Sequence, residues 1–98
     1  PPSGANKKKM IETEIIVINK LGLHARATAK LVTLTSSFKS AIKLGKGTRL
    51  VDAKNMMAVL MLGAGKGQTL QLKIEGDDEQ LALQHIQELF NRRFDEAE

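Results

Sequence analysis

A chain of 98 residues with 42% apolar side chains can build one modest hydrophobic core and no second one. It holds no cysteine, which excludes a disulfide framework, a thiolate zinc site and a cysteine nucleophile. The formal charge is +4, but Lys7, Lys8 and Lys9 supply three of the 15 basic groups, leaving 12 bases against 11 acids over residues 10–98 and little support for a nucleic-acid binder argued from bulk charge.

The opening "PPSGANKKKM" is polar and reads as a disordered leader or a cloning remnant over residues 1–9, with natural translation starting at Met10 and one domain over 10–98. No apolar run approaches the roughly 18 residues of a membrane span. "IETEIIVI" (Ile11–Ile18) places Ile11, Thr13, Ile15 and Val17 on one face at period two, a strand. "ARATAKLVTLTSSF" changes period: Ala27, Leu31, Leu34 and Phe38 recur at helical spacing, so a helix runs from Ala25 to Ser36 or Ser37. "SAIKLG" and "TRLVDA" flank "GKG" and form a hairpin. "KNMMAVLMLG" is a short, apolar helix with Gly63 as its C-cap. "TLQLKIE" alternates with Leu70, Leu72 and Ile74 inward. "GDDEQLALQHIQELFNRRF" (Gly76–Phe94) is the clearest helix, with Asp77 and Gln80 as a capping box and Ala82, Ile86 and Leu89 buried beside Leu83 and Phe90. "DEAE" reads as a frayed tail. The order βαββαβα, with strands polar on one face, predicts an α+β two-layer open sandwich, helices on one side of an antiparallel sheet.

Charge is uneven along the chain. Lys20 to Lys73 holds ten Lys and Arg against Asp52 alone, while Glu75 onward holds eight acids against Arg92 and Arg93. A basic middle gathered on one surface attracts an anion or acidic partner; a mixed, solvated surface is the plain alternative. "GAGKG" is not a P-loop, because Leu60 stands where the first glycine belongs and Gly67 follows the lysine. His85 reads as a structural histidine. Asp77, Asp78 and Glu79 suit helix capping better than metal binding, and no metal or cofactor is expected.

His24, in "KLGLHARATAK", stands where a loop enters the first helix. It has two readings. One is a capping or solvent-facing residue. The other is a nucleophile: the first turn leaves the N–H groups of Ala25 and Arg26 unpaired, the helix field favours an anion and a neutral ring, and the Arg26 guanidinium suits phosphate oxygens. Such a site could take a phosphoryl group onto a histidine and give it up again.

"LGLHARATAK", together with "VDAKNMMAVLMLGAGKG" (Val51–Gly67) in the expected order, resembles the HPr family, histidine phosphocarriers of the bacterial phosphoenolpyruvate-dependent phosphotransferase system. The resemblance covers Met10 to about Phe94. It implies an HPr-like βαββαβα open-faced sandwich with a four-stranded antiparallel sheet. It also implies a cytoplasmic carrier, not an enzyme, that accepts phosphate on Nδ1 of His24 from enzyme I and passes it to an EIIA-type protein. Arg26 would be the active-site arginine. Partner docking would fall on Ala25, Arg26, Ala29, Lys30, Lys54, Met56, Met57 and Met61, with no nucleic-acid or membrane partner and a monomeric chain. "NKLGLHARA", "MAVLMLGAGKG" and "LFNRRFDEAE" are similar to the nitrogen-related NPr branch; an ordinary sugar-uptake HPr and a non-phosphorylated regulatory binding module of the same fold are the alternatives. Two positions depart from the family: Ala27 replaces a usual proline, and Asn55 replaces a serine that a kinase can modify. Asn55 keeps the ability to cap the second helix.

Overall fold

The computed structural model describes residues 10–98, so the leader expected over residues 1–9 lies outside the described residues. The chain runs β1 (Ile11–Ile16), α1 (Ala25–Thr35), β2 (Ala41–Lys46), β3 (Arg49–Asp52), α2 (Met56–Met61), β4 (Thr69–Glu75) and α3 (Glu79–Asn91), closing in a 3₁₀ turn (Arg93–Asp95). The four strands form one antiparallel sheet in the order β1-β4-β2-β3. Register sets Ile15 opposite Leu70, Leu44 opposite Leu72 and Ile42 opposite Ile74. Because side chains alternate along a strand, these pairs bring one continuous apolar face under the helices. Leu31, Val59, Ile86 and Phe90 meet it from above, all at most 1% exposed. Each such side chain contributes about 1.5–3 kcal/mol by leaving water. The opposite face is wet: Glu12 and Lys73, directly paired across β1 and β4, form a salt bridge at 3.2 Å.

The α+β open sandwich agrees with the sequence reading; α1 ends at Thr35, short of the expected Ser36 or Ser37, and three further differences are larger. β1 stops at Ile16 instead of Ile18, although Val17 still bonds the β4 approach through Gln68 O at 3.0 Å. α3 starts at Glu79, not Gly76, with Asp78 at its N-cap position. Glu79 accepts from Gly76 N at 3.2 Å, while Asp78 turns away to accept from Lys39 N, Ser40 N and the Ser40 hydroxyl at 2.8, 2.9 and 2.5 Å. Asp78 thus ties the α1–β2 loop to the start of α3. The hydroxyl of Ser40, then the amide of Lys39, holds its carboxyl below the ordinary value near 3.8.

The third difference is the end of the chain. The apolar stripe predicts helix through Phe94, but α3 ends at Asn91, and Arg93, Phe94 and Asp95 all take positive φ. That reversal drops the Phe94 ring into the core, fully buried and 4.8 Å from Phe90. Burial of an aromatic ring outweighs the left-handed backbone that non-glycine residues otherwise avoid.

Phe94→Ala removes the anchor and is expected to destabilise the fold by about 3–5 kcal/mol in urea unfolding. Asp78 gives a pH signature. Its folded pKa lies below the unfolded value, so its stabilisation is complete above the unfolded value and is lost as pH falls through the folded one. Below about pH 4 the wild type should therefore lose stability more steeply than Asp78→Asn in urea midpoints measured against pH.

Candidate functional site

The approach to α1 is built on a backbone contact. Gly22 has φ +68, and a Cβ there would stand 2.5 Å from Ala64 O and 2.8 Å from Gly65 Cα. Only glycine meets both demands. The close approach lets Leu23 N donate to Ala64 O at 2.9 Å, and the buried Thr28 hydroxyl donates to Leu23 O at 3.0 Å. His24 is thereby delivered to the N-cap of α1, with extended backbone, and its carbonyl accepts from Thr28 N at 2.8 Å.

The capping reading of His24 is met here. Its Nδ1 caps the helix by accepting from Arg26 N at 3.3 Å. Its Nε2 faces the Glu96 carboxylate. A nitrogen that accepts a hydrogen bond carries no proton, and one that meets a carboxylate donates, so the network assigns the ring proton to Nε2. The lone pair of Nδ1 therefore points at the start of α1, where the first amides have no intrahelical acceptor and the dipole is positive.

Glu96 is the residue sequence reasoning missed, and the frayed tail expected over Asp95–Glu98 is overturned. Asn19, fully buried, donates through Nδ2 to Glu96 Oε1 at 3.0 Å and to Gly22 O at 2.8 Å. Lys30 Nζ donates to Phe94 O at 2.9 Å and lies 3.7 Å from Asp95. Lys20 N donates to Glu98 O at 2.7 Å. Phe94, Asp95, Glu96 and Glu98 are thus each tied. The Asn19 amide first, then His24 and the Arg26 charge, keep the Glu96 carboxyl below its ordinary value near 4.5 against partial desolvation, so it is ionised at neutral pH. A cleft of about 570 Å³ opens beside the ring, lined by Lys20, Leu21, His24, Arg26 and Glu96.

Arg26 is exposed on that cleft. The remaining sequence candidates lie on α1, on α2 and just before α2. Ala25 and Ala29 are exposed on α1, which packs beside α2. Met57 and Met61 are exposed on α2 at 64% and 62%, Met56 is half-buried, and Val59 takes the core position. Leu21, 67% exposed, adds an apolar side chain that the periodicity left unassigned because it lies in a loop. Lys30 and Lys54 are half-buried, and each ammonium has a main-chain partner, Phe94 O for one and Phe38 O at 2.8 Å for the other. Asn55 caps α2, its Oδ1 accepting from Ala58 N at 3.0 Å. His85 stands apart, its ring 5.9 Å from Phe38. Among the described residues no cluster of His, Asp or Glu could hold a metal ion, and no helix is long and apolar enough to cross a membrane.

The family model described as the PTS HPr component phosphorylation site matches residues 11–92. The phosphocarrier protein HPr of Xylella fastidiosa strain 9a5c is 51% identical over 87 residues, 89% of this chain and 98% of that protein. Phosphocarrier protein HPr of Cupriavidus necator is 47% identical over 89 residues, covering 91% of this chain and all of that one. The crystal structure of HPr-C-His from Thermoanaerobacter tengcongensis superposes with a TM-score of 0.86 at 38% identity, covering 90% and 99% of the two chains. The chain belongs to the HPr family of phosphocarriers.

Gly22→Ala should act on both stability and site. The added Cβ meets backbone on both sides, so the loop must retract, and the cost is expected to be about 2 kcal/mol or more in thermal unfolding. The same variant should broaden or shift the His24 ring resonances in NMR spectra, because the N-cap moves with the loop.

Proposed function

We propose that His24 accepts a phosphoryl group on Nδ1 from enzyme I, itself charged by phosphoenolpyruvate, and passes it to a histidine of an EIIA-type protein. The observation that carries this reading is the placement of Nδ1 at the start of α1, where it accepts from the Arg26 amide at 3.3 Å. In transfer, the Nδ1 lone pair forms a bond to phosphorus as the donor's own bond to it breaks, and the donor keeps that electron pair. The Arg26 N–H, released from Nδ1, turns to a phosphoryl oxygen, joined by the amide of Ala25. The exposed Arg26 guanidinium stabilises charge on the remaining oxygens. In onward transfer a histidine nitrogen of the next partner bonds phosphorus as the Nδ1–P bond breaks, and Nδ1 keeps that electron pair.

Docking is assigned to Ala25 and Ala29 of α1 with Met56, Met57 and Met61 of α2, the helix packed beside it. Flexible methionines adapt to more than one partner. Lys30 and Lys54 add charge at its edge while remaining tied to carbonyls. Asn55 has no hydroxyl, so this chain escapes kinase control at that position. It acts as a cytoplasmic monomer.

Within the family we assign the chain to the nitrogen-related branch, on the segments "NKLGLHARA" and "MAVLMLGAGKG". The second reading is a carrier of the ordinary sugar system, with which the name of the relatives at 47% and 51% identity, phosphocarrier protein HPr, is equally compatible. A regulatory module working by contact alone would keep its activity in His24→Ala.

Incubation with phosphoenolpyruvate and a nitrogen-type or a sugar-type enzyme I tests all three. The expected result is an acid-labile phosphoadduct with the nitrogen-type enzyme, absent in His24→Ala. Faster labelling by the sugar-type enzyme moves the chain to the other branch, and an adduct that persists in His24→Ala rejects the assignment of the nucleophile.

A further inference from the structure

We propose that Glu96 is a positioning residue for phosphoryl transfer at His24. Its carboxylate selects the Nε2–H form of the ring and balances the positive charge the ring gains as Nδ1 bonds phosphorus. The inference rests on the carrier reading above.

Three observations carry it. The first is directional. A neutral imidazole has one protonated and one bare nitrogen, and in water the proton is shared between them. Here Nε2 faces an acceptor with no hydrogen of its own, and Nδ1 faces a donor. Both contacts favour one tautomer, the one whose lone pair points to the anion-binding end of α1. The logic is that of the aspartate in a Ser–His–Asp triad, which holds the imidazole in the productive form without taking its proton.

The second is rigidity. Each Glu96 oxygen has a separate partner, Asn19 for Oε1 and His24 for Oε2. The side chain is only 16% exposed. Asn19 cannot flip its amide, because Gly22 O and Glu96 both require a donor from Nδ2. Its Oδ1 is left buried without a partner, which shows that the local geometry is set by the acceptors. Phe94 anchors the tail from below.

The third is charge. As Nδ1 takes phosphorus, the ring becomes cationic while its Nε2 proton stays in place. The positive groups lining the cleft, Lys20 and Arg26, and the helix field all oppose that cation. Glu96 is the counter-charge in direct contact with the ring, with Glu98 farther along the same tail. The Nδ1–P bond forms as the donor's bond to phosphorus breaks, the donor keeps that electron pair, and no proton has to leave the site.

The experiment pairs nitrogen-15 NMR of the His24 ring with the rate of phosphoryl acceptance from phosphorylated enzyme I, in wild type, Glu96→Ala, Glu96→Asp and Glu96→Gln. Wild type should show mainly the Nε2–H form. In Glu96→Ala the Nδ1–H form should grow, and the rate should fall on the order of tenfold, the scale of one charge-assisted hydrogen bond. Glu96→Asp keeps the carboxylate and should restore much of both readouts. Glu96→Gln is the sharp case. Its single carbonyl cannot serve Asn19 and His24 together; an amide nitrogen turned to the ring makes Nε2 an acceptor and puts the proton on Nδ1. Gln should therefore be no better than Ala, although it is closer to Glu in shape. Equal tautomer populations and equal rates in wild type and Glu96→Ala overturn the proposal and leave the carrier reading standing. A wild type that takes no phosphoryl group from either enzyme I removes the carrier reading itself, and the proposal with it.

Discussion

The meeting of two main chains at Gly22 and Ala64 governs where the site can be. The loop before α1 and the loop after α2 are held so close that no side chain fits between them. Once Leu23 N bonds Ala64 O, the entry angle of α1 is fixed, and His24 has to occupy the N-cap. The α2–β4 loop is braced in turn, since Gln68 Oε1 accepts from Gly65 N at 2.7 Å and Gly67 N donates to Val17 O at 2.7 Å. The sheet, the loop and the first helix therefore set the ring's position as one rigid unit, and the functional nitrogen inherits its direction from the core.

How far the sequence reveals this depends on the range of the interaction. β4 and the β2–β3 hairpin are readable because alternation and the glycine turn act within a few residues. α1 is readable for the same reason, and the unpaired amides at its start follow from helix geometry alone. The tail is not. The helical stripe continues through Phe94, and nothing local shows that the ring gains more by turning under α3 than by extending it. Glu96 lies 72 residues from His24, and a terminal "DEAE" carries no pattern that distinguishes a ligand of the ring from a solvated acid. Asp78 is a similar case: capping chemistry is legible in "GDDEQ", but which acid caps and which one reaches the α1–β2 loop is decided by Ser40, 38 residues away.

The basic middle of the chain illustrates a different lesson. Its charges suggest a field aimed at a partner, yet several serve the interior. Lys46 Nζ donates to Leu62 O and Gly63 O, both at 3.1 Å, and Arg49 Nη1 reaches Met61 O at 3.3 Å. Cations thus gather at the C-terminal end of α2, where carbonyls are unpaired and the dipole is negative. A helix of six residues is too short to be stable from propensity alone. Asn55 at one end and Lys46 with Arg49 at the other let α2 hold methionines outward, with Val59 its one wholly buried side chain.

Arg93, Phe94 and Asp95 form a run of left-handed backbone, each residue costing about 1 kcal/mol or more relative to ordinary conformations. That strain is offset by one ring in the core. A strained segment whose polar ties all depend on one buried ring does not fray residue by residue; it releases as a block. The grip on Lys30, the seat of Asn19 and the cover of the His24 ring are then lost in one event. The terminal segment is a small cooperative unit of its own, whose opening equilibrium is set by the fit of Phe94 against Phe90 and is read out at a nitrogen atom in another part of the molecule.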